Sequence, residues 1–104
     1  NASQRAKFPK NLALRQLNHE HLFVYPYSEE NDFDLNEIKP GLQQLAHKMR
    51  RDIALKKAAI QLGKRYLSEG TSLLHGDYYP GSWLKTDFGF RVIDPEFCFF
   101  GKSI

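Results

Sequence analysis

The chain predicts an α+β fold, mainly helical, with one small antiparallel hairpin near its carboxyl end. Three observations predict it. Apolar residues recur near a 3.6-residue spacing over residues 8–23 and again over residues 42–66. After Gly70 that spacing gives way to the alternation of extended chain. Finally, 104 residues with 41% hydrophobic and 26% charged side chains make one small domain of ordinary globular composition.

Asn1-Ala2 looks like the remnant of a cleaved tag and is set aside from the fold. Residues 3–70 are expected to form the helical part of a single partial domain, and residues 71–104 its loop, hairpin and acidic segment. In the first helix Leu12, Leu14, Leu17, His21 and Leu22 share a face after Pro9. Tyr25-Pro26-Tyr27 should end it, because the residue before a proline is pushed out of the α region. Residues 28–33 read as an acidic surface loop, and Asp34 with Glu37 reads as a capping box on a short helical turn. Pro40-Gly41 then opens a helical segment reaching residue 69, either one long helix or two that abut with a bend around Arg50. Gly70 is the expected left-handed stop. Leu73-Leu74 lead into a loop at His75, and residues 83–85 pair with residues 90–93 across a turn. The apolar run at residues 97–100 has nothing after it to cover it, which suggests a piece of a larger domain.

Composition narrows the function. A net charge of +3 favours polyanionic ligands but is thin for nucleic acid. The single Cys98 excludes an internal disulfide framework, suits a reducing compartment, and should pack as a small buried hydrophobe. No apolar run reaches the length of a membrane span or signal segment, so a cytoplasmic protein with no membrane partner is expected.

The chemistry concentrates in residues 73–97. His75-Gly76-Asp77 sits at one end of the hairpin pattern, and Ile93-Asp94-Pro95-Glu96 follows its second strand, with Asp77 and Asp94 seventeen residues apart. Phosphoryl transfer needs one carboxylate to orient a hydroxyl and accept its proton, and another to hold magnesium on the nucleotide. The chain supplies both. Three other features are weighed and set lower. Asp87-Phe88-Gly89 spells a kinase triplet but lies between the strands, where Asp and Gly form turns. His19 and His21 cannot share a metal on a helix, where residues two apart diverge by about 200°. The basic run of His47, Lys48, Arg50, Arg51, Lys56 and Lys57 reads as the solvated face of an amphipathic helix. Trp83, Tyr78 and Tyr79 could line a nucleotide or sugar pocket; strand packing explains Trp83 equally well, and Tyr79, inside the loop, is the preferred substrate-pocket contact.

On the residues 73–101 the chain resembles the family of aminoglycoside phosphotransferases and choline kinases, relatives of protein kinases. His75-Gly76-Asp77 matches the family's catalytic loop, and Ile93-Asp94-Pro95-Glu96 matches its metal-binding hairpin end. Ser82 stands where the family usually has asparagine. Together with Asp94-Pro95-Glu96 it makes the chain look most like the methylthioribose kinase branch. The resemblance implies the central part of a kinase-like carboxyl-terminal lobe. It implies Asp77 as the catalytic base, Asp94, Glu96 and Ser82 as metal ligands, and His75 and Gly76 as residues that shape the loop. It also implies ATP as a substrate, Mg2+ as cofactor and a small hydroxyl-bearing acceptor, with 5-methylthioribose the leading candidate. The glycine-rich cover and phosphate-pairing lysine that such chemistry needs do not occur in these residues, so the chain alone is expected not to turn over. Two alternatives stand beside this: a metal-dependent phosphohydrolase using His75, Asp77 and Asp94, and a non-catalytic kinase-like binding module.

Overall fold

Two short antiparallel pairs, not one, carry the carboxyl-terminal third of the chain. The structure is a computed structural model that describes residues 1–31 and 33–103; Asp32, in the expected acidic loop, and Ile104 lie outside the described residues. The elements are mixed helix and small antiparallel sheet, an α+β arrangement, and the chain divides into two compact units, Asn1–Gln16 with Ser68–Ile104, and Leu17–Leu67.

In the first unit, Asn1 is the N-cap of the first short helix. Asn1 Oδ1 accepts the Gln4 N–H at 3.0 Å and the terminal ammonium donates to Gln4 Oε1 at 3.2 Å, a capping box that starts helix α1 (Ala2–Ala6). Helix α2 (Leu12–His19) begins in this unit and ends in the other. Strand β1 (Ser72–Leu74) pairs with β4 (Phe99–Gly101) in the register Ser72 to Gly101 and Leu74 to Phe99. Strands β2 (Trp83–Thr86) and β3 (Gly89–Val92) form the expected hairpin, with Trp83 opposite Val92 and Lys85 opposite Phe90.

Within the apolar run at the end, Phe99 is covered by what precedes it, while Phe97, Cys98 and Phe100 stay half-buried. Phe99 has no exposed surface, and the Arg15 guanidinium lies 4.2 Å from the centre of its ring. Arg15 is itself buried, with Nη2 donating to the Ser68 carbonyl at 3.4 Å. Phe8 meets Phe100 edge to face at 5.3 Å. Cys98, expected buried, is half-buried. Gly70 does not take the left-handed conformation; a side chain there would collide with the backbone of Gly101 and Lys102, so its role is close approach to β4.

In the second unit, α2 continues into a wider π turn (Glu20–Val24) and a 3-10 turn (Tyr25–Tyr27). Tyr25 keeps α geometry despite preceding Pro26, and the chain turns extended only at Ser28. At the short turn Leu35–Glu37 the Asp34 carboxylate accepts from Asn36 N–H at 2.9 Å, so the cap reaches one residue less far than a capping box would. The long helical pattern is two helices, α3 (Leu42–Arg50) and α4 (Ile53–Leu67). Asp52 explains the break: its Oδ1 accepts the Leu55 N–H at 3.0 Å, as an N-cap does. Arg50 is an exception to the solvated basic face, being buried with Nε donating to the Pro26 carbonyl at 3.0 Å. Ala46 and Ala59 are the buried apolar residues here. Phe23 packs between His19 and Tyr66, at 5.8 and 5.5 Å between ring centres. No helix among the described residues is long and apolar enough to cross a membrane.

Gly63 sets the distance between α4 and the π turn, because a methyl group there would stand 2.7 Å from His19 Nε2 and 3.0 Å from Phe23 Cβ. Gly63→Ala should therefore destabilise the chain by about 1–3 kcal/mol through overpacking, outweighing the helix propensity alanine gains. Urea unfolding of the two proteins measures this; equal or greater stability for the variant would show that the packing is looser than described.

Candidate active site

The His-Gly-Asp loop leaves β1 and is drawn at once against the far end of the hairpin. A backbone carbonyl can only accept, so His75 Nε2, 2.7 Å from the Ile93 oxygen, is the donor. A backbone N–H can only donate, so Nδ1 accepts from Asp77, at 3.3 Å. One neutral imidazole thus spans the backbone of Asp77 and the peptide that precedes Asp94. Its tautomer follows from those two partners.

Gly76 makes the approach possible. Its φ is 84°, a left-handed value that glycine adopts freely, and a Cβ would run into the Phe97 carbonyl and side chain. The catalytic-type loop therefore lies against the short turn Pro95–Phe97 that follows Asp94. Ser82 adds two ties. It is fully buried; its Oγ donates to the Asp77 carbonyl at 3.0 Å, and its own carbonyl accepts the Ile93 N–H at 2.9 Å. In this arrangement the Ser82 oxygen faces the loop and braces it.

Asp77, Asp94 and Glu96 all present exposed side chains. Asp94 has φ 57°, a left-handed conformation in which aspartate is tolerated but β-branched residues are not. Residues in such regions are held there by their surroundings, and concentrate at functional sites. Magnesium takes oxygen ligands, usually one or two carboxylates, and completes its shell with water and phosphate oxygens. Asp94 and Glu96 have the donor chemistry for that role. Among the described residues no three His, Cys, Asp or Glu side chains form a group able to hold a metal on their own.

The remaining candidates fall elsewhere. Asp87 and Phe88 form the turn between β2 and β3, with Gly89 at φ 97°. Thr86 Oγ1 closes that turn, donating to the Gly89 carbonyl at 2.7 Å and accepting the Phe88 N–H at 3.2 Å. Asp87 thus sits at the opposite end of the ribbon from Asp94. His19 and His21 have separate partners: His19 packs on Phe23, while His21 Nδ1 donates to the Leu17 carbonyl at 2.9 Å. Tyr79 folds back over Gly81, whereas Tyr78 lines a cavity of about 300 Å³ with Trp83, Phe90, Arg91 and Val92. Tyr78 and Trp83 rings lie 5.4 Å apart, and Tyr78 meets the His75 ring at 6.0 Å. Asn11, which reaches the turn after Asp94, carries no motif that sequence reading singles out.

No protein-family model matches the chain. Curated relatives do. Methylthioribose kinase of Escherichia coli O45:K1 is 35% identical over 98 residues, covering 92% of this chain. Methylthioribose kinases of Yersinia enterocolitica and Yersinia pestis are each 39% identical over 91 residues, covering 88% of it. The chain is homologous to one stretch of the methylthioribose kinases. It spans 22% of the length of these relatives. The match covers the helices as well as the hairpin, so the likeness to methylthioribose kinases extends beyond the short motif pair at His75 and Ile93.

Because Ser82 braces the loop, Ser82→Ala should cost about 0.5–1.5 kcal/mol, the net worth of the part-buried bond that its hydroxyl donates to the Asp77 carbonyl. Chemical denaturation checks it. A variant of unchanged stability would show that the Oγ bond contributes nothing to the loop.

Proposed function

We propose that this chain carries the base-bearing and metal-bearing part of a kinase-like carboxyl-terminal lobe, in a protein that phosphorylates a hydroxyl of a small molecule with ATP. The observation that supports the reading most is the imidazole bridge. His75 links Asp77 to the peptide before Asp94, so the two acidic stations that phosphoryl transfer needs are fixed to one another. The names of the relatives add the acceptor: 5-methylthioribose is the leading candidate.

In this reading Asp77 orients the acceptor hydroxyl and takes its proton as the oxygen attacks. Asp94 and Glu96 hold magnesium, which when bound neutralises charge on the nucleotide phosphates. Ser82 and His75 keep the loop in place and touch no reacting atom. ATP and a small-molecule acceptor are the partners, and the cytoplasm is the compartment. A phosphohydrolase with His75 as a metal ligand is disfavoured, because both ring nitrogens are already engaged by backbone groups.

Asp77→Asn in the full-length protein should lower the rate of phosphate transfer by about 10²–10⁴-fold while nucleotide binding survives. Steady-state kinetics with equilibrium nucleotide binding tests this, and a normal rate would remove Asp77 from the chemistry. The 104 residues by themselves, given ATP, magnesium and methylthioribose, should transfer no phosphate. Turnover by the isolated chain would contradict its proposed place as one part of a larger catalytic unit.

A further inference from the structure

Asn11 lies far from the acidic motifs in sequence yet holds the turn that carries one of them. It directly precedes α2, and its carbonyl accepts the Arg15 N–H at 2.8 Å, as an N-cap carbonyl does. An ordinary N-cap has extended backbone. Asn11 instead has φ 47°, and it and Asp94 are the two non-glycine residues with positive φ among those described. From that conformation its Nδ2 donates to the Glu96 carbonyl at 3.0 Å and the Cys98 carbonyl at 2.6 Å, 85 and 87 residues away. A primary amide has two N–H bonds on one nitrogen, so a single side chain serves both oxygens. These carbonyls flank Phe97, and the turn's own bond, Cys98 N–H to the Pro95 carbonyl at 2.9 Å, closes the same loop. Both left-handed non-glycine residues therefore belong to one juncture: Asp94 enters the turn and Asn11 grips its exit. Positive φ at such residues costs of order 1–3 kcal/mol each and persists where neighbouring structure imposes it.

We infer that Asn11 is a positioning residue for the metal-side carboxylates, fixing the Pro95–Phe97 turn so that Asp94 and Glu96 keep one geometry. The inference rests on the kinase reading above. Asn11 touches no reacting atom; it acts through the backbone of Glu96 and Cys98. An aspartate of the same shape would aim oxygen at two carbonyls.

The test uses the full-length protein with ATP and manganese(II) as the probe, affinity being read from the electron paramagnetic resonance of the free ion. Asn11→Gly removes the amide but accepts the left-handed backbone, and Asn11→Asp keeps the size while removing the donors. Either variant should weaken manganese binding about 10-fold or more, the usual loss for a partner that orients a metal ligand. Amide exchange at Cys98 should quicken alongside. Unchanged manganese affinity in a folded variant, whatever its melting temperature, overturns the inference and leaves Asn11 a structural bracket. Asp94→Asn is the reference: if it also leaves manganese affinity unchanged, the kinase reading falls first and the inference with it. If Asp94→Asn weakens binding and both Asn11 variants do not, the inference alone fails.

Discussion

The hydrogen bond from His75 to the Ile93 carbonyl is the interaction on which the site depends. It is a long-range tie, eighteen residues in sequence, made by a half-buried ring whose other nitrogen takes the Asp77 N–H. β1 and the hairpin β2–β3 belong to separate sheets that exchange no ladder bonds, so their mutual orientation rests on ties of this kind. With this bond, the loop after β1 and the end of β3 are fixed to each other at the point where Asp77 and Asp94 emerge. Ser82 repeats the connection from inside, bonding the Asp77 carbonyl through its hydroxyl and Ile93 through its backbone. A net hydrogen bond is worth only about 0.5–1.5 kcal/mol. Four that converge on the same few residues, two of them made by the fully buried Ser82, order a loop more effectively than their number suggests, because each removes freedom the others need not remove again.

Packing makes that tie reachable. The β1–β4 pair is seated by Phe99, buried beneath the Arg15 guanidinium, and by the close passage of Gly70 against Gly101. The pair brings the chain back so that the turn Pro95–Phe97 lies against Gly76. Neither contact tolerates a larger residue. The site is thus held by a small sheet formed from residues far apart in sequence, and the two carboxylates it presents to solvent sit on its least regular backbone.

Much of this was legible in the residues themselves. The helices follow from apolar spacing, a bend near Arg50 was one of two readings of that spacing, and the hairpin follows from turn chemistry at Asp87 and Gly89. The two acidic segments were legible as loops because His-Gly-Asp and Ile-Asp-Pro-Glu each name a local backbone shape as well as side chains. What could not be read was pairing at a distance. Phe99 looked uncovered because its partners, Leu74 and Arg15, precede it by 25 and 84 positions. Gly70 looked like a helix stop because glycine usually is one there, whereas here the neighbouring strand excludes a side chain. Asn11 resembles any asparagine before a helix, and only the fold brings it to Glu96. The bond from the buried Ser82 hydroxyl to the Asp77 carbonyl likewise has no signature in the sequence. Arg50 looked solvated because charge patterning carries no information about a waiting carbonyl.

The ring state of His75 tests the central interaction most directly. Two-bond nitrogen–proton correlation spectroscopy on the protein, at a pH where the ring is neutral, reports which nitrogen bears hydrogen. The bridge requires hydrogen on Nε2 and a bare Nδ1, with slowed exchange of the Asp77 amide. Hydrogen on Nδ1 instead, or two rapidly exchanging tautomers, would mean that the ring does not join Asp77 to Ile93.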